Sequence, residues 1–278
     1  MWQGNPATIF ISEVQKLSRV CPLFSGSTGN STYIATPEGS VLIDAGASFK
    51  GIVAAIERAG GSYEDIAAVA VTHEHIDHIK GLKTFLSRTS AALVASEQTV
   101  ETLISQEKVP PRTKIITVDN CDAEIGGILL HRFSTSHDCK GSSGYVLTLP
   151  DGKKTAVCTD LGVVTDSVRS AISGCDIVLL ESNHDIDMLK RGPYPANLKY
   201  RIMSDTGHIS NVACAAELKN LLKSGTKRFI LGHLSQKNNT PLIARACAES
   251  ALMDMGAQNG KDYILNVAKP QENGVSVI

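Results

Sequence analysis

The chain has 278 residues, 42% of them hydrophobic, and its 27 basic and 28 acidic side chains leave a formal net charge of −1. Such a length can bury a large core, while so even a charge balance excludes a global pull toward nucleic acid or an anionic membrane and requires a local patch to hold any polyanion. Its seven cysteines lack CxxC spacing, no apolar run is long enough for a bilayer and no signal-peptide pattern follows Met1, so a reducing, cytoplasmic setting without a membrane partner is expected.

No Pro/Ser-rich linker, charge block or low-complexity run divides the chain. Residues 1–16 read as an N-terminal extension, poorly ordered or partly artefactual, and 17–278 as one domain. Leu17 to Phe24 alternates weakly, as a first strand does, and enters the tight turn Ser25-Gly26-Ser27-Thr28-Gly29-Asn30. The polar groups of Ser25, Ser27 and Asn30 are candidates to face a phosphate; a plain hairpin connection accounts for the composition equally well. Ser31 to Ala35 and Ser40 to Ile43 read as paired strands. A helix over Lys50 to Ala59 stops at Gly60-Gly61.

Ala67 to Val71 reads as a buried strand, and Thr72-His73-Glu74-His75-Ile76-Asp77-His78 follows it. Three imidazoles and a carboxylate crowd into six positions past a strand end. In an extended turn His73 and His75 point to one side, while Asp77 and His78 open the next helix and point elsewhere. Two diverging ligand sets suit two cations, an arrangement common in hydrolases of phosphate esters. The plainer alternative, a polar helix start, would bury a carboxylate and several ring nitrogens without partners. Metal binding is the better reading.

The helix from Asp77 carries Leu82, Phe85 and Leu86 inward. Ala91 to Ala95, a helix from Glu97 to Gln106 and Lys114 to Val118 continue a strand–helix–strand pattern. Gly127 to Thr135 is a strand with His131 as an ordinary member, ending at Ser136-His137-Asp138. Ser143 to Leu149 and Lys154 to Cys158 form a hairpin closed by Pro150-Asp151-Gly152, and the second strand delivers Asp160. Asp160 could bridge two ions or cap the following helix; the bridge is favoured. Asp176 to Leu180 is a buried strand leading to Glu181-Ser182-Asn183-His184-Asp185. Between Met188 and Arg201, Lys190, Arg191, Tyr194, Lys199 and Arg201 interleave cations with an aromatic ring, a mix suited to a phosphodiester backbone and a stacked base; a solvated helix face is the alternative. Asp205-Thr206-Gly207-His208 precedes a helix with Val212, Ala215, Leu218 and Leu222 inside, ended by Gly225. Arg228 to Leu231 is a core strand with His233 just beyond it. A helix capped by Thr240, with Pro241 in its first turn and Ile243, Cys247 and Ala251 buried, leads to a closing strand, Tyr263 to Val267.

The segment His73-x-His75-x-Asp77-His78 resembles the signature of the metallo-β-lactamase superfamily. Leu42-Ile43-Asp44-Ala45-Gly46, Ser136-His137-Asp138, Thr159-Asp160-Leu161-Gly162 and Leu231-Gly232-His233-Leu234-Ser235 agree with it. The segments at Ser25, Glu181 and Asp205 narrow the likeness to the bacterial YycJ/WalJ subgroup of nuclease-like members, over nearly the whole chain from Leu17. Periodicity supports a mixed α/β class with two sheets; the resemblance implies the four-layer αβ/βα sandwich. It further implies one divalent ion on His73, His75 and His137, a second on Asp77, His78 and His233, Asp160 shared between them, and Asp44 as the outer carboxylate that orients the ligand loop.

The ions expected are manganese, zinc or iron. The implied chemistry is phosphodiester hydrolysis by a metal-bound hydroxide, in a DNA exonuclease of 5′ to 3′ polarity tied to repair, with Asp77 as a catalytic ligand. Glu181 and His208 match the pair that supplies the leaving group's proton in related nucleases, with His184 a second candidate. The residues alone leave DNA and RNA equally open. Two other functions fit the same signature: a hydrolase of small esters, thioesters, lactones or cyclic phosphodiesters, which needs a closed apolar pocket instead of a basic groove, and a non-enzymatic metal-binding regulator.

Overall fold

The computed structural model describes residues 17–119 and 121–278; the expected extension over residues 1–16 lies outside them. Fourteen strands make two seven-stranded sheets among the described residues. The first runs β14 (Ser276–Val277), β1 (Arg19–Phe24), β2 (Ser31–Ala35), β3 (Ser40–Ile43), β4 (Ile66–Ala70), β5 (Ala92–Ala95), β6 (Ile115–Thr117). The second runs β13 (Ile264–Val267), β12 (Arg228–Gly232), β11 (Ile177–Glu181), β10 (Lys154–Cys158), β9 (Ser143–Thr148), β8 (Ile128–Ser134), β7 (Ala123–Ile125). Each sheet is antiparallel on one side and parallel on the other: β3 to β6 in the first, β10 to β13 in the second.

Alternation along the strands builds three apolar layers. Val41 and Ile43 face the other sheet, where they join Tyr145, Leu147, Val157 and Leu179 in a core shared by both sheets. Leu42 between them faces outward, with Val69 and Leu93, onto α1 (Phe49–Arg58), α3 (Leu82–Arg88) and α4 (Glu97–Ser105). On the far side, Val178, Leu180, Phe229 and Leu231 pack under α5 (Asp166–Ile172), α8 (Asn211–Lys223) and α9 (Pro241–Met253). The parallel strands are apolar on both faces because both faces are covered. Helix, sheet, sheet, helix is the four-layer sandwich that the family resemblance implies.

Most element boundaries fall within a residue or two of the sequence reading, and the departures have physical causes. The helix expected from Asp77 is two: α2 (Ile76–Ile79) ends at Lys80-Gly81 before α3 begins, because Gly81 donates to the Ala45 carbonyl at 2.8 Å and a Cβ there would overlap the Ala47 carbonyl. The run from Met188 to Arg201, to which the sequence reading assigned no element, holds two helices, α6 (Ile186–Arg191) and α7 (Ala196–Ile202), separated by Gly192-Pro193-Tyr194-Pro195. The proline ring removes a donor and excludes a helical residue before it.

Helix α8 turns Asn211, Cys214 and Leu221 inward and leaves Val212 60% exposed. The reason is polar: Ser182 Oγ and Asn239 Nδ2 both donate to the Asn211 amide oxygen. Helix α9 buries Ala244, Ala248 and Leu252 rather than Ile243, Cys247 and Ala251, since small side chains let it pack directly against α8. Asp160 caps nothing; Thr165 caps α5. Among the described residues no helix is long and apolar enough to cross a membrane.

Candidate metal centre

The site lies at the carboxyl ends of β3, β4, β10, β11 and β12, where adjoining parallel strands release their chains into loops. The His73–His78 loop is clamped in part by backbone: Asn30 N donates to the Asp77 carbonyl at 2.7 Å, and Ala45 N to the His78 carbonyl at 2.8 Å. Gly46 fills the gap between these loops, and a Cβ there would overlap the Asp77 carbonyl oxygen. Three of the strand ends carry a non-glycine residue in the left-handed region: Asp44 at φ 61°, Asp160 at 59° and His233 at 54°. Each costs about 1–2 kcal/mol; Asp160 and His233 thereby join the groups that could hold a cation, while Asp44 turns to the Nδ1 side of His78.

Two ligand sets converge there. His73 Nε2 stands 3.1 Å from His75 Nδ1, and His137 Nε2 stands 3.3 Å from the same atom. The opposite nitrogens are engaged: His73 Nδ1 with Thr72 Oγ1 at 3.0 Å, His137 Nδ1 with the Gly207 carbonyl at 3.1 Å. His75 Nε2 faces Cys139 Sγ at 3.3 Å and Asp138 Oδ1 at 3.4 Å. Three ring nitrogens therefore aim at one point.

The second set is Asp77, His78 and His233. Asp77 Oδ2 is 3.6 Å from His78 Nε2 and 3.7 Å from His233 Nε2. Asp160 sits between the sets, with Oδ2 3.3 Å from His78 Nε2 and Oδ1 3.9 Å from His137 Nε2.

Buried polar atoms decide whether cations fit. Asp160 Oδ2 and His233 Nε2 have no hydrogen-bond partner, although both are shielded from water; such orphans cost free energy unless a cation meets them. The titration behaviour agrees. Burial and the neighbouring imidazoles hold His73 well below its ordinary pKa, leaving its nitrogen bare for a cation. At His78 burial opposes the charged form, yet the Asp160 and Asp44 carboxylates outweigh it and push the ring up to about 9. Asp160 and Glu181, despite full burial, are held low by the surrounding histidines. The donors, all nitrogen and oxygen, suit zinc, manganese or iron.

Behind the ligands lies a layer of holders. Asp44 accepts from Thr72 N, Thr72 Oγ1 and His78 Nδ1, each at 2.8 Å. Glu181 is 0% exposed; its Oε1 accepts from His208 Nδ1 at 2.9 Å and from His233 Nδ1 at 2.8 Å, and its Oε2 from Ile209 N at 3.1 Å. With Glu181 so engaged, His208 is the member of the pair whose free nitrogen can face a substrate. His184 is buried, its Nδ1 meets no partner, and it joins none of the cation-binding groups; burial pulls its pKa down to about 4.

The residues expected to meet substrate divide. Ser25 and Asn30 are buried: Ser25 Oγ accepts from His233 N at 2.8 Å, and Asn30 Nδ2 lies 3.2 Å from Asp77 Oδ2 and 3.0 Å from His78 Nε2. They buttress ligands, whereas Ser27 is exposed. Lys199 Nζ donates to the Lys190 carbonyl at 2.8 Å and so joins α7 to α6. Lys190 and Arg191 are exposed, Tyr194 is half-buried, and Arg201 reaches the site rim, where its Nε donates to Asp138 at 2.6 Å. The sequence reading missed Thr72 as a member of this layer, and Asp138 as a rim residue beside the ligands; adjacency to His73 and His137 was the available signal.

Fold and site together define a metal-dependent hydrolase of the metallo-β-lactamase type. Residues 40–234 match the family described as "Beta-lactamase superfamily domain". The chain is 35% identical to exodeoxyribonuclease YycJ of Bacillus anthracis over 90% of its length and 94% of that protein's. It is 34% identical to exodeoxyribonuclease WalJ of Streptococcus pneumoniae, over 87% of its own length and 90% of the relative's. Two solved structures share the fold at low identity. The metallo-β-lactamase fold protein YhfI of Bacillus subtilis matches with a TM-score of 0.69 and 16% identity, over 94% of this chain and all of that one. Zinc-bound PqqB of Methylobacterium extorquens matches with a TM-score of 0.69 and 17% identity over the same shares. The chain belongs to the β-lactamase superfamily and, within it, to the family of YycJ and WalJ.

Proposed function

We propose that this protein is a binuclear metal-dependent phosphodiesterase acting on DNA, an exonuclease of 5′ to 3′ polarity that serves repair in the cytoplasm. The observation that carries the reading is Asp160: a buried carboxylate between two three-residue ligand sets, one of its oxygens orphaned. Two ions, manganese, zinc or iron, would be held by His73, His75 and His137 on one side and by Asp77, His78 and His233 on the other, with Asp160 shared. Bound there, divalent cations supply Lewis acidity, which acidifies a water and neutralises charge on phosphoryl oxygens. The choice of DNA is supported by the names of the two relatives, both exodeoxyribonucleases.

The chain's own groups supply the remaining chemistry. Glu181 holds His208 through Nδ1, which leaves Nε2 to donate a proton to the departing alkoxide. Asp44, Thr72 and Gly207 fix the tautomers of His78, His73 and His137. Lys190, Arg191 and Arg201 offer cations to the strand's phosphates, and Tyr194 a ring for a base. The test is cleavage of 5′- and 3′-labelled DNA and RNA by purified protein with each divalent metal, beside Asp77→Ala. The reading expects mononucleotides released from the 5′ end of DNA and none from the variant. Equal cleavage by the variant would mark a contaminant, and metal-loaded protein inert on every DNA would end the reading.

A further inference from the structure

One carboxylate at the rim has no part in that scheme. Asp138 follows His137, and its Oδ1 stands 3.4 Å from both His75 Nε2 and His137 Nε2. Its Oδ2 accepts from Arg201 Nε at 2.6 Å. Arg201 stands on the last turn of α7, across the site mouth from the His137 loop, and feels the charge of Asp77 as well as that of Asp138. Only Nε is engaged; the two terminal nitrogens have no protein partner among the described residues.

We propose that Asp138 occupies, on Arg201, the place of a substrate phosphate. An entering strand exchanges that carboxylate for a phosphodiester oxygen, so Asp138 sets how tightly the strand is held. The inference rests on the phosphodiesterase reading. A guanidinium binds carboxylate and phosphate with the same planar fork. Contact through one nitrogen leaves the fork open for a doubly bonded competitor. The pair is also partly exposed, with side-chain exposures of 48% and 30%, and an ion pair in such a setting is weak enough to be displaced. The exchange makes Asp138 a brake: it keeps Arg201 extended over the ligands and prevents loose phosphates from settling there. A simpler role would be to orient His75 by accepting from its Nε2. At 3.4 Å that contact is long, and Cys139 Sγ competes for the same hydrogen at 3.3 Å.

A double-mutant cycle separates the two roles. Wild type, Asp138→Asn, Arg201→Ala and the double variant are compared on labelled DNA for kcat and KM at two salt concentrations, with metal content measured for each. Exchange predicts that Asp138→Asn lowers KM about two- to fivefold, the range an exposed ion pair commands. Arg201→Ala should raise KM and reduce the salt slope by about one charge. Adding Asp138→Asn to Arg201→Ala should leave KM where the arginine variant puts it. A KM that is unchanged or raised in Asp138→Asn overturns the proposal, as does an equal shift with and without Arg201, which would place the effect in His75 and His137. Wild type that neither binds nor cleaves DNA sinks the nuclease reading itself, and this inference with it.

Discussion

His78 Nδ1 and Asp44 Oδ2 lie 2.8 Å apart, both buried beneath the ligand loop. The bond decides which nitrogen of His78 is turned to the ligand cluster: with Nδ1 donating to the carboxylate, Nε2 faces Asp77, Asp160 and the Asn30 amide. Asp44 also holds Thr72 through its amide and hydroxyl, so one side chain sets both ends of the loop. Asparagine tolerates the left-handed backbone at φ 61° but loses a charge and an acceptor. Asp44→Asn should therefore weaken zinc binding about 10–100-fold with the fold intact, measured by competition with a chromophoric chelator. An unchanged affinity would remove Asp44 from the account.

The same pair gives a pH dependence. In protein stripped of cations, His78 titrates at about 9 against an ordinary 6.5. A group raised on folding stabilises the folded state fully below its unfolded pKa, and that contribution is lost as pH rises through the folded value. The stripped protein should lose stability between roughly pH 6.5 and 9. Cations need the same nitrogen bare, so their affinity should climb across that window. Calorimetry from pH 6 to 9.5 should thus find the gap in Tm between loaded and stripped protein widening with pH; a gap that narrows would contradict the assignment.

His208 and Glu181 should separate under mutation. His208→Ala is expected to cut turnover about 10²–10⁴-fold while sparing the cations. Glu181→Gln should do more, because Glu181 Oε1 also accepts from His233 Nδ1; turnover and occupancy of the second cation should fall together. His184→Ala should keep turnover, since His184 joins none of the cation-binding groups. Metal analysis alongside initial rates distinguishes the three, and full turnover in His208→Ala would strip that residue of its role.

Gly46 offers a purely steric test. A methyl group there meets the Asp77 carbonyl and the Asn30 amide, the backbone clamp of the ligand loop. Gly46→Ala should cost about 3 kcal/mol, a fall in Tm of about 6–12 °C, with cations bound more weakly. Gly152, left-handed at φ 80° but with nothing nearby to meet, should lose only the backbone strain of about 1–2 kcal/mol on the same change. Equal losses would mean that crowding at Gly46 is not what matters.

What the sequence discloses follows the range of the forces involved. His73 to His78 was readable because the ligand loop is local, and the strands were readable because apolar runs bounded by turns leave few alternatives. Faces of alanine-rich helices were not: α9 slips by one residue because Ala244 and Ala248 give hardly more direction than their neighbours. Strands β7 and β14, with three and two residues, carry too little pattern to register. The buttressing by Ser25 and Asn30 was hidden for a different reason. Ser25 meets its partner 208 residues away and Asn30 meets His78 across 48, and polar turn residues look alike whether they face a ligand or support one. Gly192-Pro193-Tyr194-Pro195, by contrast, carries a local break signal between α6 and α7 that the sequence reading did not use.

The central claim, a pair of cations astride Asp160, is tested most directly by anomalous diffraction from crystals grown with manganese or zinc. Two peaks should flank the Asp160 carboxylate, one within bonding reach of His73, His75 and His137 and the other of Asp77, His78 and His233. A single peak, or peaks that leave Asp160 unligated, would contradict it.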